Sequence, residues 1–146
     1  MDKKIFVALS IFAIVMIGCV YATEATDSSN NNTVTISCLN FTIPDGFTED
    51  VDEAIFNESD SDDGYNYVTE QRTFEKGDKL LLISVNVYEQ NITDDLIKNV
   101  GEKTTINNVT GHFSDMGFLS LFTYVQDDKV VVLTASDKSI IEETLF

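Results

Sequence analysis

The sequence predicts an α+β fold: an antiparallel β-sheet of six or seven strands built from hairpins, with a short helix and a C-terminal helix packed on it. Three observations carry this expectation. Residues 79–89 alternate strictly and place Leu81, Ile83, Val85 and Val87 on one wholly apolar face, the pattern of a half-buried strand. Residues 118–125 and 130–135 repeat the pattern on either side of Asp127-Asp128, so that Tyr124 should face Val131 and Phe122 should face Leu133. Ser139-Ile140-Ile141-Glu142 has the spacing of a capping box, and Ile140, Ile141, Thr144 and Leu145 line one side of a closing helix.

Taken in order, the chain of 146 residues begins with what reads as an export signal over 1–22. Lys3 and Lys4 precede an apolar run, and Val20-Tyr21-Ala22 puts small residues where a signal peptidase cuts, after Ala22. Two alternatives share the segment. Met16-Ile17-Gly18-Cys19 resembles a lipobox, which would lipidate Cys19, and 5–22 is long enough for a marginal membrane anchor. Each of the three exports the remainder, which places it secreted or on the extracytoplasmic cell surface, with the membrane met only through the N-terminal segment. Residues 23–32 are polar and read as a flexible linker, leaving one domain over 33–146.

Within the domain, Val34, Ile36 and Cys38 alternate with polar residues before the apolar parity moves to Leu39, Phe41 and Ile43, which suggests one strand with a bulge near Cys38-Leu39. Ile43-Pro44-Asp45-Gly46 has Pro and Gly at the second and fourth positions of a type I turn. Residues 49–63 carry eight carboxylates and no basic residue, and read as a solvated acidic loop. Residues 65–74 alternate again, and Glu75-Lys76-Gly77 suggests a three-residue hairpin loop into 79–89. That loop puts Tyr67 opposite Val85 and Tyr65 opposite Val87, aromatic against β-branched; a one-residue slip would instead put Val68 opposite Val85. Thr93 can cap a short helix with Asp94 and Asp95 at its positive end, Leu96, Ile97 and Val100 as its buried stripe and Gly101 as its stop. Residues 104–106 and 109–113 flank Asn107-Asn108, a pair that tolerates the positive φ of a tight turn.

Composition narrows the function. A net charge of −16 argues against nucleic acid as a partner, since that affinity comes largely from basic residues neutralising phosphates. His112 is the single histidine, so any Ser-His-Asp or Cys-His site must include it, with Ser114 or Asp115 nearby in sequence. One His and two Cys cannot furnish a zinc site, and no Gly-rich phosphate loop is present. With the signal removed, Cys38 stands alone on the apolar face of its strand and reads as a buried, inert thiol. A calcium site is the sharper reading of the acidic loop. Residues 59–64 place Gly64 at the sixth and Glu70 at the twelfth position of an EF-hand-like spacing, with Asp60, Asp62 and Asp63 as further ligands. Sequons at Asn31, Asn57, Asn91 and Asn108 are candidate glycosylation sites; a fifth, at Asn40, lies in a strand.

The segment FTIPDGF (41–47), followed by the acidic insert, two hairpins and the terminal DKSIIEE helix (137–143), resembles a group of small exported proteins of methanogenic archaea. The same order of elements is similar to the PsbP-like α/β sandwich. The resemblance implies a binding or interaction module and carries no catalytic residue. The expectation is therefore an exported, non-enzymatic module without a cofactor that meets a protein or envelope component. Its alternatives are a Ca²⁺-binding surface protein and a hydrolase using His112.

Overall fold

A computed structural model describes residues 32–145; the expected export signal with Cys19, the sequon at Asn31 and nearly all of the expected linker lie outside the described residues. Two strands, β1 (Thr33–Ile36) and β2 (Leu39–Thr42), form a small hairpin. Seven more, β3 (Thr48–Asp62), β4 (Tyr65–Lys76), β5 (Lys79–Tyr88), β6 (Glu102–Ile106), β7 (Val109–Asp115), β8 (Ser120–Gln126) and β9 (Lys129–Ala135), make one antiparallel sheet in the order β3-β4-β5-β9-β8-β7-β6. The chain closes with α1 (Lys138–Thr144). No helix among the described residues is long and apolar enough to cross a membrane.

The architecture is mainly β, which corrects the α+β expectation. The helix expected over 94–100 is a single 3-10 turn, Asp94–Leu96: Thr93 makes no side-chain cap, Leu96 and Val100 of the expected stripe are exposed, and only Ile97 is buried. A helix without a cap or a buried face has too little to offset its nucleation cost. The acidic loop expected over 49–63 is instead most of β3, the longest strand and one edge of the sheet. An edge strand is held through its backbone and needs few apolar side chains, and its carboxylates and two register shifts also keep other strands from adding there.

The N-terminal parity shift comes from a turn and not a bulge. Ser37 and Cys38 adopt φ of 46° and 67°, the left-handed pair of a type I′ hairpin turn, so Ile36 meets Leu39 and Val34 meets Phe41. Cys38 is exposed at this turn and is not a free thiol, which corrects the buried-thiol reading. The next turn is displaced by one residue: Phe47 N donates to Pro44 O and Gly46 has φ of 84°, as the third position of a type II turn requires.

The core lies on one face of the large sheet. Leu81, Ile83, Val85, Phe122, Tyr124, Val131 and Leu133, all expected there, are buried, and Val87 packs partly against them. Ile36 and Phe41 from the β1–β2 hairpin and Ile140 and Ile141 from α1 complete the same cluster, so hairpin and helix together cover this face. Burial pushes the Tyr124 hydroxyl up to about 12.

The helix is capped two residues before the expected position. Asp137 is the N-cap, its Oδ1 accepting from Ile140 N at 3.3 Å and from the Ser139 hydroxyl. That hydroxyl foremost, then Lys79 and the Ile140 N–H, hold the Asp137 carboxyl below its usual value against the opposing effect of burial. The depressed folded-state value means that this stabilisation is present above the unfolded carboxylate range and is lost as pH falls through the folded pKa. Asp137→Ala is expected to cost about 1 kcal/mol at neutral pH, read by urea denaturation, and the gap from wild type should close in acid.

Candidate functional site

The calcium candidates do not converge. Asp63 and Gly64 adopt φ of 48° and 85° and form a tight hairpin turn between Asp62 and Tyr65. The glycine that fits an EF-hand spacing thus serves a type I′ turn, for which Asp-Gly is a strong signal. Asp60 and Asp62 pair with Tyr67 and Tyr65, while Glu70 lies five residues from Tyr65 along β4, roughly 16 Å at the usual strand rise. Glu70 is also on the other side of the sheet and already occupied. Its Oε2 accepts from Ser37 N (2.7 Å) and Ser37 Oγ (2.9 Å), and its Oε1 is 3.9 Å from Arg72. Arg72 in turn pairs with Glu49 and stacks 4.5 Å from the Phe56 ring. Glu70 is therefore a clasp between the β1–β2 turn and the sheet. No group of three potential metal ligands is found among the described residues. Glu70→Ala should lower stability by about 1–3 kcal/mol, because it strips partners from Ser37 and leaves Arg72 underpaired. Ca²⁺ should raise the melting temperature no more than Mg²⁺ at equal ionic strength.

His112 is buried on β7, its Nδ1 3.1 Å from Gly101 O. Ser114 shares its face, but Asp115 points to the opposite one by strand alternation and accepts instead from Gly117 N at 2.8 Å. The order His–acid–nucleophile that a hydrolase needs is not assembled here. His112 ties the end of the 89–101 connection to the sheet. Of the glycosylation candidates, Asn57, Asn91 and Asn108 are exposed; Asn40, on β2, is exposed as well, with Oδ1 accepting from Thr35 Oγ1 at 2.7 Å.

The surface with most to offer is the sheet's second face. Thr69, Gln71, Ser84, Asn86, Val132 and Thr134 point away from the core and are half-buried, whereas Thr73, Thr123, Val130 and His112 on the same face are buried. At the end of this face nearest the β3–β4 turn stand three tyrosines. Tyr67 pairs directly with Tyr88, their ring centroids 5.0 Å apart, and Tyr65 meets Tyr88 edge-on at 6.2 Å. Asp60 and Asp62 flank them from β3, and the Tyr67 hydroxyl donates to Asp60 Oδ2 at 3.4 Å. Desolvation first, then Asp60, raises the Tyr67 pKa; desolvation, Tyr67 and Asp62 raise that of Tyr88. Gln90 fixes the corner, accepting from Asn66 N at 3.1 Å and donating to Gly64 O at 3.4 Å.

This corner is invisible to the sequence reading because of its register. Lys76 pairs with Lys79 around a two-residue turn in which Gly77 has φ of 63°, so Val85 faces Glu70 and not Tyr67. A shift of three residues is odd and moves every β4 side chain to the other face. The signal that could have found it is Phe74 against Leu81, an apolar pair on either side of Gly77-Asp78. No known protein family, curated protein or solved structure matches the chain.

Proposed function

We propose that the protein is an exported, non-enzymatic binding module that holds a protein or envelope partner on the second face of its sheet. The observation that carries this reading is the asymmetry of the sheet: hairpin and helix close one face, while the part of the other face around Ser84 presents half-buried Thr, Gln, Ser, Asn and Val side chains with no strand or α-helix of the described residues assigned over it. These six side chains carry no charge, and depletion of charge at the centre of the patch is what protein interfaces share. The separation of Asp115 from His112 removes the support for the hydrolase alternative, and the dispersal of Glu70 from Asp60, Asp62 and Asp63 does the same for calcium. Export rests on the basic start, apolar run and Ala22 of the N-terminal segment.

The test uses the exported chain with envelope extract and a cross-linker. Ser84→Arg, in the middle of the second face, is expected to abolish partner capture, and Glu143→Arg, on the exposed side of α1, to leave it intact. Equal capture by both variants, or turnover of an ester or glycoside panel that His112→Ala abolishes, contradicts the proposal.

A further inference from the structure

One corner of that face has a chemistry distinct from the rest. Glu58, Asp60 and Asp62 alternate along β3 and face the same side as Thr69, Tyr67 and Tyr65 of β4, to which they pair. None of these three carboxylates forms an ion pair with a Lys or Arg among the described residues. Their strand spacing makes a ladder of negative charge with a repeat of about 7 Å. Beside the ladder, the half-buried rings of Tyr65, Tyr67 and Tyr88 form a contiguous aromatic surface. Aromatic faces attract cations through their quadrupole, more strongly when partly desolvated, and neighbouring carboxylates add to that attraction.

Resting on the binding-module reading, we infer that this corner docks a basic peptide segment of the partner, its Lys or Arg side chains lying on the Tyr65, Tyr67 and Tyr88 rings and pairing with Glu58, Asp60 and Asp62. A metal ion fits poorly, since a ladder strung along a strand does not surround one point. An extended peptide fits, because side chains at alternate positions of an extended chain repeat at the same distance of about 7 Å. Arg suits the site best: its guanidinium plane stacks on an aromatic ring while its edge donates to a carboxylate. The type I′ turn at Asp63-Gly64 and the Gln90 bridge hold the corner in shape before anything binds, which keeps the ordering cost of docking low.

Binding to the full chain is read by isothermal titration calorimetry, which needs no tyrosine as reporter. The probe is a peptide of alternating Arg and Ser, against a control with Gln in place of Arg. The Arg peptide should bind and the Gln peptide should not. Tyr67→Leu with Tyr88→Leu should weaken binding about tenfold, and Asp60→Asn with Asp62→Asn by a similar factor, the latter at unchanged melting temperature because both carboxylates are exposed. Asp94→Asn with Asp95→Asn, which remove the same charge elsewhere, should change affinity less than about twofold. Equal weakening by that control pair would show only general attraction to an acidic chain and would overturn the inference, as would binding of the Gln peptide or no binding at low salt. If the Arg peptide fails while Ser84→Arg still abolishes partner capture, the basic-segment inference falls and the second-face reading stands; if Ser84→Arg has no effect, the second-face reading itself falls.

Discussion

Phe122→Ala is expected to remove about 3–5 kcal/mol of folding free energy, the largest effect of any single truncation in this domain. Phe122 is fully buried at the centre of β8, paired with Leu133 and with its ring 5.8 Å from that of Tyr124. Removing the ring loses its transfer free energy and leaves a cavity that β8 and β9, fixed by their neighbours on both sides, cannot close. A domain of this size has only about 5–15 kcal/mol in total, so the variant should melt more than roughly 10 °C lower and approach marginal folding. Val87→Ala, at a position only partly buried, should cost much less. Urea denaturation followed by tyrosine emission reads both, and equal losses would mean that the core is not centred where the structure puts it.

Gly111→Ala is expected to cost about 2–3 kcal/mol or more, although alanine is ordinarily preferred to glycine in a strand. A Cβ at position 111 would sit 2.4 Å from Thr123 O and 2.9 Å from both the Phe122 ring and Tyr124 Cβ. The first of these contacts is with backbone on the neighbouring strand, so the clash cannot be relieved by turning a side chain and must displace β7 from β8. Gly64, whose Cβ would meet nothing within 4 Å, is the control: its alanine variant should pay only the strain of its φ of 85°. Near-identical unfolding curves for the two variants would contradict the packing of β7 on β8.

The parts of this fold that were legible in the sequence are those where one local pattern admits one arrangement. Phe122–Leu133 and Tyr124–Val131 pair as alternation around Asp127-Asp128 requires, and Asn107 and Asn108 take the left-handed φ values their turn demands. What was not legible depends on partners distant in sequence. An acidic run reads as a solvated loop until β4 is seen to supply the backbone pairing that makes it β3. Leu96 and Val100 read as a buried stripe only if something packs over them, and both are exposed. The tyrosine corner was hidden by a turn-length ambiguity: a loop of three residues and a turn of two are both compatible with Glu75-Lys76-Gly77-Asp78, yet they send Tyr65 and Tyr67 to opposite faces. The clasp of Glu70 on Ser37 could not be anticipated at all, since it joins residues 33 apart in a way no periodicity records.

Backbone amide mapping tests most directly whether the second face is the one that binds. With the isotopically labelled chain titrated with envelope extract, broadening and shift changes are expected at Thr69, Gln71, Ser84, Asn86 and Tyr88, with the amides of α1 and the β1–β2 hairpin unmoved. Changes confined to α1 and that hairpin, with the second face silent, would contradict it.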